Sequence, residues 1–127
     1  MEANMVGWFE IPVVDMTRAQ KFYETVFEIK ISVEHFGETL MGWFPFPKDP
    51  QARGAGGSLI QNPDFYKPSS DGTLVYFSSA EITAELDRVE DAGGLVLQKK
   101  TLIREDIGYM ALFLDSEGNR IALHSRA

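Results

Sequence analysis

The period of the apolar positions changes repeatedly along the chain, and each change marks an element. Residues 6–14 (VGWFEIPVV) are an almost unbroken apolar run, which predicts a buried strand. From Asp15 the period lengthens. Ala19, Phe22, Tyr23, Val26 and Phe27 recur at the spacing of an amphipathic helix, with Arg18, Lys21 and Glu24 on its wet side and Asp15 as its cap. Residues 29–33 (IKISV), 40–44 (LMGWF) and 57–61 (GSLIQ) then read as three strands. Prolines and glycines make residues 45–56 (PFPKDPQARGAG) an irregular loop, and Pro63, Pro68 and Asp71-Gly72 make residues 62–73 a connector.

The pattern then restarts. Residues 74–77 (LVYF) predict a strand, and Ser78 with Glu81 three residues on predicts a capping box. Ile82, Leu86 and Val89 form the buried stripe of a second helix, stopped by Gly93-Gly94. Residues 95–97, 109–114 and 120–124 supply three more strands, the last two joined by a tight turn at residues 115–119 (DSEGN). Laid over each other, the halves place Trp8 on Leu74, Asp15 on Glu81, Ile29 on Leu95, and residues 40–44 on 109–113. The order strand, helix, strand, strand, strand therefore occurs twice. This predicts one α+β domain over residues 1–127: a first βαβββ module at 5–61, a linker at 62–73 and a second module at 74–126.

Two stretches carry a family resemblance. Trp8-Phe9-Glu10-Ile11-Pro12-Val13-Val14-Asp15, followed by Arg18-Ala19 and Phe22-Tyr23, resembles the opening of the vicinal oxygen chelate superfamily, which contains glyoxalase I, extradiol dioxygenases and bleomycin-resistance proteins. Gly93-Gly94, Gly108-Tyr109 and Asp115-Ser116-Glu117-Gly118-Asn119-Arg120-Ile121 resemble the close of its second module. The resemblance implies tandem βαβββ modules in a curled, cup-shaped mixed sheet with the helices outside, and a homodimer. In metal-dependent members one His, Gln or Glu from the first and last strand of each module holds a divalent ion. The matching positions here are Trp8, Ser58, Leu74 and Ala122, none of them a competent ligand. No metal and no other cofactor is therefore expected.

Composition narrows the function further. The 127 residues contain no cysteine, which excludes disulfides, thiolate metal sites and cysteine nucleophiles and suits a cytoplasmic protein. A net charge of −7 with scattered Lys and Arg argues against nucleic acid, and no apolar stretch approaches the roughly 20 residues of a membrane helix. The acidic N-terminus is not that of a signal peptide.

Strand alternation then sorts the faces. With Trp8 toward the cup, Glu10 follows it, and so do Leu74, Tyr76 and Ser78, and Arg120, Ala122 and His124. Trp43 and Tyr109 join them on size. Phe9, Ile11, Val13, Phe22, Val26, Val75, Phe77, Leu86, Val89, Ile121 and Leu123 are the expected core. The candidate ligand-binding set is thus Trp8, Glu10, Trp43, Leu74, Tyr76, Tyr109, Ala122 and His124, an aromatic wall with few polar groups. Glu10 and His124 are the candidate catalytic pair, as general base and acid. His35, after the second strand, is expected on a surface turn, and Arg120 reads either as surface charge or as an anion clamp. Three readings stay open: a metal-free small-molecule binding protein like the sequestering antibiotic-resistance members; a lyase, isomerase or dioxygenase, either metal-independent or with displaced metal ligands at Glu10 and His124 and Tyr76 as a third oxygen donor; and a non-catalytic regulatory or structural module.

Overall fold

The computed structural model describes residues 3–49 and 51–127; Met1, Glu2 and Pro50, the last within the expected loop, lie outside them. Ten elements follow in the expected order: β1 (Trp8–Pro12), α1 (Met16–Phe27), β2 (Ser32–Phe36), β3 (Thr39–Trp43), β4 (Gly56–Gln61), β5 (Val75–Ser78), α2 (Ile82–Val89), β6 (Leu95–Arg104), β7 (Gly108–Leu114) and β8 (Arg120–Ser125). They make two four-stranded mixed sheets of matching topology, β1-β4-β3-β2 and β5-β8-β7-β6. In each, the first strand runs parallel to the last, and the hairpins are antiparallel. The two sheets are not closed on each other.

Each helix forms where its cap and stripe dictate. The Asp15 carboxylate accepts the Arg18 N–H at 3.1 Å, and Met16, Ala19, Phe22, Tyr23 and Val26 all point inward. The cap of α2 is Glu81, not Ser78: its carboxylate accepts the Thr83 N–H, and the Ser79 hydroxyl accepts the Glu81 N–H. The helix starts three residues later than the capping-box pattern suggests, because Ser78 is still paired to His124 in the sheet. Most strand ends move by a residue or two, and two strands differ by three residues or more. β2 begins at Ser32, since Ile31 is packed in the core and its N–H is tied to the Glu24 carboxylate. β6 runs on past the expected end at Leu97, through Lys99 and Lys100 to Arg104, with bulges that break its alternation.

One core joins the modules. Ile11 and Val13 of the first sheet, the buried faces of α1 and α2, and Phe113, Ile121 and Leu123 of the second sheet belong to a single cluster. Phe9 and Phe77 pack against it with ring centroids 5.8 Å apart. Val75 departs from the expected core; it is half-buried and lines the space between the sheets. Gly57 explains how Phe9 fits. The two residues pair across β1 and β4, and a Cβ on Gly57 would overlap the Phe9 ring.

The β7–β8 turn fastens the modules. Asp115 accepts the N–H groups of Glu117 and Asn119 through one oxygen, and the Tyr23 hydroxyl at 2.6 Å and the Asn119 amide through the other. Asn119 also donates to the Pro12 carbonyl at 2.7 Å. Glu117 accepts the N–H groups of Val14 and Asp15 and pairs with the Arg18 guanidinium at 2.7 Å. The resemblance-bearing turn of the second module thus grips the strand end and helix start that carry the resemblance in the first.

Candidate functional site

Alternation from Trp8 sets the open face of the first sheet. Ile11 is buried in the core, so Trp8 and Glu10 point the other way, and Trp8 is 37% exposed. On β3, Gly42 faces Ile31, Met16 and Leu59, which turns Trp43 toward Trp8; their rings meet edge-on at 5.1 Å. Phe46, just beyond β3, also meets Trp8 edge-on, at 6.2 Å. On β5, Tyr76 and Ser78 are exposed while Phe77 packs inward.

Trp8, Glu10, Leu74, Tyr76 and Ser78 line one open cleft of about 810 Å³ between β1 and β5. Val6, Pro45 and residues 53–57 line it too. A narrower cleft of about 200 Å³ continues along the linker past Glu10, Lys67, Asp71 and Arg120. Glu10 stands in both. Its carboxylate accepts the Tyr66 hydroxyl at 3.0 Å, and this bond, ahead of the plain charge repulsion, holds the Tyr66 phenol above its ordinary pKa. Tyr66 was not among the sequence candidates. The signal was an aromatic residue inside a turn-rich connector, where the N–H groups of Phe65 and Tyr66 return to the Asn62 carbonyl and fold the linker back on β1.

The remaining candidates lie elsewhere. His124 sits between Ser78 and Met110 in the sheet, and its Nε2 is 2.7 Å from the Ile107 carbonyl in the β6–β7 connection. It does not line the cleft with Glu10, so the proposed acid–base pair is not assembled. Tyr109 is on the wrong face for the cup: it alternates with Ala111 and Phe113 toward the core, under the Lys100 ammonium at 4.5 Å, and Met110 and Leu112 take the open side. Size was a poor guide there, because an aromatic ring serves a core edge equally well. Trp43 stands behind Trp8 rather than on the cleft wall, and Ala122 is fully buried beside Tyr76. His35 is exposed within β2, not on a turn.

The family's metal positions can be tested by register. Glu10, two residues past Trp8, pairs with Ser58, and Tyr76, two past Leu74, pairs with Ala122. The module symmetry therefore equates Ser58 with Ala122, as the sequence mapping did. An indole, a hydroxyl, an isobutyl and a methyl group do not suit a divalent transition ion. Among the described residues no group of three or more His, Cys, Asp or Glu gathers anywhere. What the first sheet does offer is hydrogen bonding: Ser58 Oγ and Trp43 Nε1, on paired positions, are shielded from solvent without a partner. No helix among the described residues is long and apolar enough to cross a membrane.

A family model described as the Glyoxalase/Bleomycin resistance protein/Dioxygenase superfamily matches residues 5–123. Solved structures agree in fold. The chain is similar to a glyoxalase/bleomycin resistance protein from Albidiferax ferrireducens, at 16% identity and TM-score 0.73, over 98% of this chain and 100% of that one. It is also similar to TnmS3, an antibiotic binding protein from a Streptomyces species, at 21% identity and TM-score 0.68, over 100% and 99%. Glyoxalase I from Zea mays aligns at 15% identity and TM-score 0.70 over 94% of this chain, which spans only 45% of that longer one. No curated protein matches by sequence.

Proposed function

The chain belongs to the glyoxalase/bleomycin resistance protein/dioxygenase superfamily, and from that premise we propose that it binds a small aromatic or amphipathic organic molecule between its modules, without a metal. The observation that carries the reading is the cleft of about 810 Å³ lined by Trp8, Tyr76 and Glu10. Its size falls in the usual range for ligand pockets, and such pockets pair apolar walls with a few polar groups. TnmS3, whose name records antibiotic binding, has the same fold over nearly its whole length. Binding is favoured over an acid–base reaction because Glu10 and His124 are held by separate partners, Tyr66 and Ile107.

The test is tryptophan fluorescence titration with a panel of aromatic compounds. Saturable quenching by one of them, lost in Trp8→Ala, is the expected result; no quenching across the panel overturns the reading. Elemental analysis finding one tightly held Fe, Mn, Ni or Zn per chain would overturn its metal-free part. The homodimer implied by the resemblance would cover β6, where Leu95, Leu97, Leu102 and Ile103 are each 45–51% exposed. Sedimentation equilibrium showing a monomer at all concentrations would exclude it.

A further inference from the structure

The narrower cleft runs on from the wider one through Glu10, Thr73 and Val75, which line both. One wall carries Arg120, the first residue of β8, and the linker side carries Lys67. Three of the six arginines, Arg18, Arg88 and Arg104, each close an ion pair with a carboxylate, and Lys100 closes one with Glu81. Among the described residues Arg120 and Lys67 enter no such pair, and Arg120 Nε is shielded from solvent with no acceptor. The carboxylates of the same cleft, Glu10 and Asp71, form no ion pair with either cation, and Glu10 is engaged by Tyr66.

A guanidinium stays charged at any working pH and presents five N–H donors in a rigid fork. A half-buried one without an acceptor is an unmet demand for a planar oxyanion. The net charge of −7 makes this placement more telling, because the surface at large repels anions and only a local site can hold one. Resting on the binding function above, we propose that the narrower cleft is an anion subsite: a carboxylate at one end of an aromatic ligand docks on the Arg120 fork, assisted by Lys67, while the ring lies against Trp8 and Tyr76. The ligand class is thereby an aromatic carboxylic acid.

The experiment compares 2-naphthoate with the neutral 2-naphthylmethanol by tryptophan quenching and calorimetry on the full chain. Wild type is expected to bind the carboxylate about tenfold or more tightly than the alcohol, and Arg120→Gln to abolish that preference while leaving the alcohol's affinity in place. Arg120→Lys, which keeps the charge without the fork, should retain part of the preference; it also stands in if the Gln variant fails to fold. Lys67→Gln should remove a smaller part. Equal or tighter binding of the alcohol to wild type, or a preference that survives in Arg120→Gln, overturns the anion subsite and leaves the wider cleft's function standing. If neither compound binds, the anion subsite falls, and the panel titration alone decides the wider cleft's function.

Discussion

The same connection, from third strand to fourth, is built in opposite ways in the two modules. In the second it is the turn at residues 115–119, where Asp115 and Asn119 are buried and every hydrogen bond of their carboxylate and amide is made. In the first it spans residues 44–55, its described residues largely exposed, with Phe46 half exposed against Trp8 and Pro45 and Arg53 lining the cleft. One copy fastens module to module, and the other shapes an opening. A repeat lets a fold do both, because the buried carboxylate and amide of this turn, engaged within the turn and by the first module and linker, have no bonds left for a ligand. The comparison predicts that damage to the turn appears as lost stability and damage to the loop as lost binding.

The largest effect is expected from Asp115→Ala. It leaves the Tyr23 hydroxyl, two backbone N–H groups and the Asn119 amide short of an acceptor in a buried setting, for a cost of about 2–4 kcal/mol. Urea unfolding measures it. A loss below about 0.5 kcal/mol, the scale of an ordinary surface substitution, would break the comparison at its root.

Sequence reading went further with this turn than with the loop, for a physical reason. The repeat, the helix stripes and the faces of β1, β5 and β8 rest on local periodicity, which burial enforces residue by residue: Ile11 and Ile121 are where alternation puts them, and Phe22 and Leu86 where the helical stripe does. The aromatic wall at Trp8 and Tyr76 and the place of Glu10 followed from the same rule. Tyr109 was misplaced because both its faces are chemically acceptable to an aromatic ring. His124 failed for another reason. Alternation fixes the face of a strand residue but not which carbonyl its ring reaches, here that of Ile107. Tyr66, Phe46 and Lys67 lie on irregular segments, where no period says which way a side chain turns, and only the folded linker brings Tyr66 to Glu10. The role of the turn as a clamp was equally invisible, since Tyr23 and Asp115 belong to different modules.

A smaller effect separates two carboxylates within the turn itself. Burial would raise Glu117, but the Arg18 guanidinium, the Asp15 and Val14 N–H groups and the Ser116 hydroxyl outweigh it and bring its pKa to about 2. Asp115 goes the other way, raised by burial despite Tyr23 and Asn119. The signs follow by linkage. Glu117, depressed from an ordinary 4.5, contributes stability that is present above that value and lost as pH falls toward 2. Asp115, raised, contributes stability that grows as pH falls through its folded value. Allowing for screening of the solvent-facing Arg18, the Glu117 loss should be about 2 kcal/mol. Thermal unfolding of wild type should therefore weaken across this window by more than that of Glu117→Gln, whose own profile flattens. Parallel acid profiles for the two proteins would assign the clamp's strength to Asp115 and Asn119 alone.

The smallest change in stability, and the sharpest division between the regions, is expected from Phe46→Ala. Phe46 is 51% exposed and outside the core cluster, so its removal should cost no more than about 0.5 kcal/mol. Its ring nevertheless braces Trp8 edge-on at 6.2 Å, alongside the Trp43 contact at 5.1 Å, and so helps fix the indole that walls the cleft. An aromatic contact of this kind is worth about 0.5–1.5 kcal/mol, and that sum should leave the binding side. Affinity for an aromatic probe should fall by about threefold to tenfold, and tryptophan emission should shift to the red as Trp8 meets more water. Calorimetry beside urea unfolding reads both quantities on one sample. A Phe46→Ala protein that binds normally but unfolds early would mean that the open loop, too, is spent on holding the fold, and the division of labour between the two connections would be gone.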